Sequence, residues 1–324
     1  MKKIIIDTLG GDNGEEEIVR GVIEASKIYS DYSFVLVGSY VNISNILAKC
    51  DVDKSRFEIV NAPSSISNSD DPRLVVRGKE NCSMASSFNI LKLDKEAVGM
   101  ISSGSTGALL VGTIFKLGLF RGVNFPALSS LLFSIKGEYI CLVDCGANID
   151  VNRVQLLSFA KMGVALLKSY CGIENPRVGL LNVGVEEGKG NRLLKEAYPL
   201  FKTSSLNFIG NIEGNDIFLG GVDVIACDGF AGNIVLKNAE SVAMIAANIV
   251  NKTLGDEGKP AIDEIHRLFA YNEQGGAIVL GSRKMVIKAH GAATKNTIVS
   301  VIGDMIKMDK GDFIQNLRKT LGDI

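Results

Sequence analysis

Six short apolar runs in this 324-residue chain stop in the same way. Each reaches a small polar or ionisable residue (Asp7, Ser102, Asp144, Asn182, Asp228, His290), and a glycine follows within a few residues. Between the runs lie stretches with apolar residues at helical spacing, such as Leu157, Ala160, Val164 and Leu167. Strands alternating with helices predict an α/β fold, three layers deep, with a mostly parallel sheet covered on both faces. In such a sheet the carboxyl ends of the strands share one edge, and ligands bind in the crevice beyond it. Glycine there lets the backbone approach a ligand closely. One Asp or Asn after a strand reads as a helix cap or an Asx-turn. Six at once, each with its glycine, read as a shared site.

The most informative of these junctions is Val98 to Leu110, VGMISSGSTGALL. A strand passes through Ser103, Gly104, Ser105, Thr106 and Gly107 into an apolar helix, expected over Ala108 to Phe120. The first helical turn leaves backbone N–H groups unpaired, and with hydroxyls beside them they suit an anion. The same logic makes Gly10 and Gly11 after Asp7, Asn148 after Asp144, Asn191 after Asn182, and Gly229 after Asp228 candidate anion-binding positions. Lys189, between Gly188 and Gly190, is the candidate cation for that anion. Asn233 lies in the same Gly-rich run as Asp228, and His290 brings an imidazole, a side chain suited to acid or base work. Glu186 and Glu187 read as surface charges.

Composition narrows the partners. Net charge is −1, Trp is absent, aromatics are 6%, and no long basic run occurs, so nucleic acid is not expected. The six cysteines form no paired CxxC units and there are two histidines, so no metal site is expected. No apolar run is long enough to span a bilayer, which with the unpaired cysteines suggests a reduced, cytoplasmic protein. The chain is read as one large α/β domain over residues 1–324, with a helical segment projecting over 234–275. Two strands, Ala127 to Phe133 and Tyr139 to Val143, are joined by a turn tight enough for an antiparallel hairpin. A long helix is expected from Ile234 to about Thr253, another from Ile262 to Tyr271, and a last strand over Met285 to Ala289.

Seven blocks in order carry a family resemblance: IDTLGGDNG (Ile6 to Gly14), SSGSTGALL (Ser102 to Leu110), VDCGANID (Val143 to Asp150), GLLNVGVEEGKGN (Gly179 to Asn191), LNFIGNIEGNDI (Leu206 to Ile217), CDGFAGNIVLK (Cys227 to Lys237) and VIKAHG (Val286 to Gly291). They resemble the phosphate acyltransferases of bacterial phospholipid synthesis, the PlsX family. That resemblance implies transfer of a fatty acyl group from acyl carrier protein to inorganic phosphate, giving acyl phosphate. It also implies a homodimer, no metal or nucleotide cofactor, and a fold like isocitrate and isopropylmalate dehydrogenases and phosphotransacetylase. Under it Lys189, Asn233 and His290 become catalytic candidates and the remaining strand-end residues hold phosphate. A phosphotransacetylase-like enzyme using acyl-CoA, or a non-catalytic relative, are the alternatives.

The chain departs from the family at its first loop, where members usually read DAMGGDHAP. Thr8, Leu9, Asn13, Gly14 and Glu15 replace the usual residues. Two basic clusters, Arg73 with Arg77 and Lys79, or Arg283 with Lys284 and Lys288, are candidates for docking an acidic carrier. The segment Asn251 to Glu273 is acidic and broken by glycine, so at most weak peripheral membrane contact is expected.

Overall fold

Ile4, Ile5 and Ile6 are all fully buried, with no alternation between faces. A strand of that kind belongs in a parallel sheet covered on both sides. The computed structural model describes residues 1–269 and 275–322, and it divides into two compact units, Met1–Phe120 with Glu273–Lys310 and Arg121–Asn272 with Gly311–Ile324.

The first unit contains strands Lys2–Asp7 (β1), Tyr32–Gly38 (β2), Phe57–Asn61 (β3) and Ala97–Ser102 (β4). Its helices up to that point are Gly14–Ile28 (α1), Tyr40–Ala48 (α2), Ser83–Leu93 (α3) and Thr106–Gly112 (α4). The expected α/β alternation is present. The helix after the Ser/Gly turn starts at Thr106 and runs as α-helix only to Gly112. A π-helical stretch, Thr113–Leu117, follows and ends at Gly118 with φ 79°. The left-handed φ at Gly118, which a side chain would disfavour, stops the helix before the expected Phe120.

The second unit opens with Ala127–Phe133 (β5) and Tyr139–Val143 (β6), the antiparallel hairpin expected from their tight turn. Arg153–Cys171 (α5), Arg177–Leu181 (β7), Arg192–Lys202 (α6), Asn207–Ile212 (β8) and Val224–Ala226 (β9) follow. Next come the long helix Gly229–Leu254 (α7) and Lys259–Phe269 (α8). Of the helix expected to Tyr271, that residue and the rest of 270–274 lie outside the described residues. The chain returns to the first unit with Gly276–Leu280 (β10), Met285–Ala289 (β11) and Lys295–Lys310 (α9), and ends in the second with Phe313–Leu321 (α10).

Strand order in the first unit is β3-β2-β1-β4-β11-β10, parallel except that β10 runs antiparallel to β11. In the second it is β5-β6-β9-β7-β8, parallel except for β5. Close helix packing is set by small residues: a Cβ on Gly21 of α1 would lie 2.6 Å from Ile298 Cβ of α9, and one on Gly311 would lie 2.0 Å from Ser169 O of α5. The parallel register aligns Asp7 with Ser102 and Lys288 with Ser102 in the first unit. In the second unit Val143 and Leu180 both pair with Ala226. The strand ends that the sequence singled out therefore share an edge within each unit.

Candidate active site

In the first unit, β1, β4 and β11 deliver Asp7, Ser102 and His290 to neighbouring loops. Ser102 Oγ donates to Asp7 Oδ2 at 2.6 Å and accepts from Gly104 N at 3.1 Å. Ser105 caps α4, its hydroxyl accepting from Ala108 N at 3.5 Å. Thr106 opens the helix, and Gly107 leaves room for the Pro72 ring, whose Cγ would lie 2.9 Å from a Cβ there. Ser103 Oγ is buried and has no hydrogen-bond partner among the described residues. A buried hydroxyl without a partner is costly unless something polar meets it. Gly10, at φ 89°, packs on this turn: a Cβ would stand 2.8 Å from Gly104 Cα. Gly11 packs beside Ser103 and Gly291, and Asp12 N donates to Gly291 O at 2.7 Å. His290 is exposed, and its Nδ1 accepts from Ala292 N at 3.2 Å, so the neutral ring carries its proton on Nε2.

Burial pushes the Asp7 carboxyl up to about 6, against the opposing pull of the Ser102 hydroxyl and the Lys288 ammonium. A carboxyl raised from 3.8 to about 6 binds its proton more tightly in the folded state. Its contribution to stability is therefore greatest below pH 4 and is lost as pH rises through 6, on the order of 2–3 kcal/mol in all. Asp7→Asn should flatten that slope. Chemical denaturation at pH 5 and pH 7.5 checks it: equal pH dependence in wild type and variant would mean Asp7 titrates normally.

In the second unit Asp144, at the end of β6, holds a loop around its carboxylate. Oδ1 accepts from Leu128 N, Gly146 N and Ala147 N at 3.0–3.1 Å. Oδ2 accepts from Asn148 N at 2.8 Å and Asn148 Nδ2 at 2.7 Å. Burial raises its pKa, and these donors oppose the rise. Asp144 is thus occupied by its own loop. Asp228 caps α7 through Ala231 N at 2.8 Å, and Gly229 N donates to Asn148 O at 2.7 Å. Asn233 is exposed in the first turns of α7 beside Gly146. Asn148, Asp228, Gly229 and Asn233 are therefore brought together.

The β7 loop forms a second group in that unit. Asn182 Oδ1 accepts from Val183 N at 2.8 Å, and its Nδ2 donates to Lys189 O at 3.2 Å. Gly190, at φ 93°, closes on Asn182, and Asn191 caps α6 through Leu194 N at 3.0 Å. Lys189 is exposed, and among the described residues its ammonium forms no salt bridge. Asn211 was not foreseen: its Nδ2 donates to Glu186 O at 2.8 Å, while its Oδ1 is buried without a partner among the described residues.

Two cysteines adjoin these loops. Cys145 is buried, its thiol donates to Leu142 O at 3.1 Å, and burial pushes it up to about 12. Cys227 is likewise buried and raised well above the ordinary thiol range. Neither is available as a thiolate. The basic clusters are partly engaged by their neighbours: Arg73 pairs with Asp71 and Lys79 with Asp70 at the surface, and Lys284 Nζ donates to Ala97 O at 2.8 Å.

Among solved structures, the chain resembles a phosphotransacetylase from Streptococcus pyogenes (TM-score 0.64, 17% identity, 97% of this chain and 94% of that one). It also resembles the EutD phosphotransacetylase from Staphylococcus aureus (TM-score 0.61, 13% identity, 95% and 94%). At that identity the likeness concerns the fold, and it agrees with the phosphotransacetylase-like architecture expected from the sequence. Among curated proteins, the phosphate acyltransferase of Clostridium tetani is 36% identical over 99% of this chain and 98% of its own length. That of Clostridioides difficile is 37% identical over 98% and 95%. The family model described as fatty acid synthesis protein matches residues 2–316, and on that match and those relatives the chain belongs to this family of phosphate acyltransferases.

Proposed function

We propose that this chain transfers a fatty acyl group from the thioester of acyl carrier protein to inorganic phosphate, releasing acyl phosphate. What carries the reading is similarity to phosphate acyltransferases over nearly the whole chain, whose strand-end loops hold small hydroxyls, amides and a lysine without a salt bridge among the described residues. Phosphate itself is the nucleophile. A phosphate oxygen attacks the thioester carbonyl carbon, the C–S bond breaks as the tetrahedral intermediate collapses, and the thiolate leaves to take a proton. The buried, protonated cysteines support direct attack rather than an acyl-cysteine intermediate. In this scheme the Ser103 to Gly107 turn of the first unit holds phosphate, and Lys189 of the second unit is read separately as a cation for phosphate. Asn233 is read as a donor to the thioester oxyanion, the leaving thiolate takes the proton that the attacking hydrogenphosphate carried, and the neutral His290 ring offers a hydrogen bond from Nε2.

The test is direct. Purified protein is incubated with phosphate and either acyl-ACP or acyl-CoA, and acyl phosphate is trapped with hydroxylamine. Product from acyl-ACP alone supports the proposal; product from acyl-CoA alone transfers the activity to the coenzyme thioester, and no product from either overturns it. Asn233→Ala and Thr106→Ala should each lower activity about tenfold or more with little change in Tm, since neither side chain is a buried packing element. Equal loss of Tm in both would make them structural caps.

We also read the chain as a homodimer. Support comes from α7, where Phe230, Ile234, Val242, Ile245 and Ile249 share one sector of the helix and are all exposed. A stripe of that size is more apolar than an ordinary solvated helix face. Ile245→Glu is expected to halve the mass measured by sedimentation equilibrium at micromolar protein. A wild-type monomer under the same conditions would end this reading.

A further inference from the structure

The peptide unit between Ser103 and Gly104 is held at both ends by side chains from adjacent strands. At its N–H end, Gly104 N donates to Ser102 Oγ at 3.1 Å, and that hydroxyl donates to Asp7 Oδ2 at 2.6 Å. At its carbonyl end, Ser103 O accepts from Lys288 Nζ at 3.1 Å, and the same ammonium donates to Ala289 O. The parallel register of β1, β4 and β11 places Asp7, Ser102 and Lys288 side by side. The backbone of Gly10, where a Cβ would stand 2.8 Å from Gly104 Cα, closes on the same unit. Asp7 is 2% exposed and Ser102 fully buried, so neither presents itself to a ligand.

We infer that Asp7, Ser102 and Lys288 are positioning residues that lock the Ser103–Gly104 peptide plane, and thereby aim the Ser105 to Gly107 turn at the phosphate substrate. The inference rests on the reading that this turn holds phosphate. Rotation of a peptide plane changes ψ of the residue before it and φ of the residue after it, so a free plane here would re-aim every donor that follows. Donors fixed before the anion arrives need no ordering when it binds. Asp7, which the sequence alone places among phosphate ligands, thus acts one step removed from phosphate. Lys288, which the sequence offers only as a docking charge, acts on the opposite end of the same peptide.

The experiment uses the full chain and three variants, Ser102→Ala, Lys288→Met and Lys288→Arg, with two readouts. The first is amide-proton exchange at Gly104, followed by ¹H–¹⁵N NMR against core amides of β1. The second is the phosphate KM and kcat for acyl phosphate formation. Ser102→Ala and Lys288→Met should each speed Gly104 exchange about tenfold or more while the β1 core amides keep their protection. Both should raise the phosphate KM several-fold with kcat within about twofold, and Lys288→Arg should restore most of both. Unchanged Gly104 exchange in Ser102→Ala and Lys288→Met overturns the lock whatever the activity. Faster exchange with an unaltered phosphate KM, in a protein whose Thr106→Ala variant does lose phosphate affinity, overturns the aiming role and leaves the function standing. Absence of acyl phosphate from the wild type is a failure of the function, and Gly104 exchange then decides the lock alone.

Discussion

Lys189→Ala is expected to leave the fold intact and to cut acyl-phosphate formation roughly ten- to a hundredfold, with the loss falling on phosphate dependence. The magnitude is that of one charge-assisted contact, about 1.5–3 kcal/mol. The structure separates the backbone of Lys189 from its side chain. The main chain is anchored by Lys189 N donating to Glu186 O at 3.1 Å and by Asn182 Nδ2 on Lys189 O. The side chain is exposed, with no salt bridge to any described residue, so its removal takes nothing from the packing. Saturation curves in phosphate at fixed acyl-ACP, beside a thermal melt, check both halves. A near-normal phosphate KM removes Lys189 from the site, and a lowered Tm assigns it a structural part instead.

The second large effect concerns stability. A Cβ on Gly232 would lie 1.9 Å from Asp144 O and 2.9 Å from Cys227 Sγ. The first of these is backbone, held in place by the bonds that its own loop makes to the Asp144 carboxylate. Gly232→Ala therefore forces the start of α7 away from the end of β6, at a cost of about 3 kcal/mol or more. In a chain of 324 residues that should lower Tm by roughly 4–5 °C. An unchanged melting temperature would show that α7 can slide without penalty.

That glycine also shows where the sequence misleads. CDGFAGN reads as a loop because glycine and asparagine are turn residues, and the long helix was expected from Ile234. In the structure α7 begins at Gly229, directly after the Asp228 cap. Gly229 and Gly232 are present because the first helical turn lies against the backbone of Asn148 and Asp144, a tertiary approach that local propensity does not encode. Strand β10 was missed for a related reason: its five residues begin on the second glycine of a pair and carry too little pattern to be told from a loop. By contrast the β5–β6 hairpin and the strand ends at Asp7, Ser102 and Asp144 were legible, because apolar patterning and turn chemistry agree there. Of the candidate site, the residue types at the strand ends were readable. The direction in which each side chain points was not: Asp144 faces its own loop, and Lys79 and Arg73 are paired with neighbouring aspartates.

In the first loop, Thr8 and Glu15 stand where the family resemblance leads one to expect alanine and proline. Thr8 Oγ1 donates to Glu15 Oε1 at 2.7 Å, and the same oxygen accepts from Ser39 N at 2.9 Å. Glu15 Oε2 accepts from Asn42 Nδ2 at 3.1 Å, while Thr8 itself is fully buried against the end of β2. The two replacements are thus halves of one hydrogen-bonded unit spanning α1, α2 and β2. Alanine at position 8 removes the hydroxyl that meets the carboxylate, and proline at position 15 leaves Thr8 with the Val37 carbonyl at 2.9 Å as its acceptor and takes the carboxylate from the backbone of Ser39. Of the two, Glu15 carries more of the unit, because its carboxylate serves Thr8, Ser39 and Asn42 at once, so exchange at position 15 loosens three elements where exchange at position 8 loosens one contact.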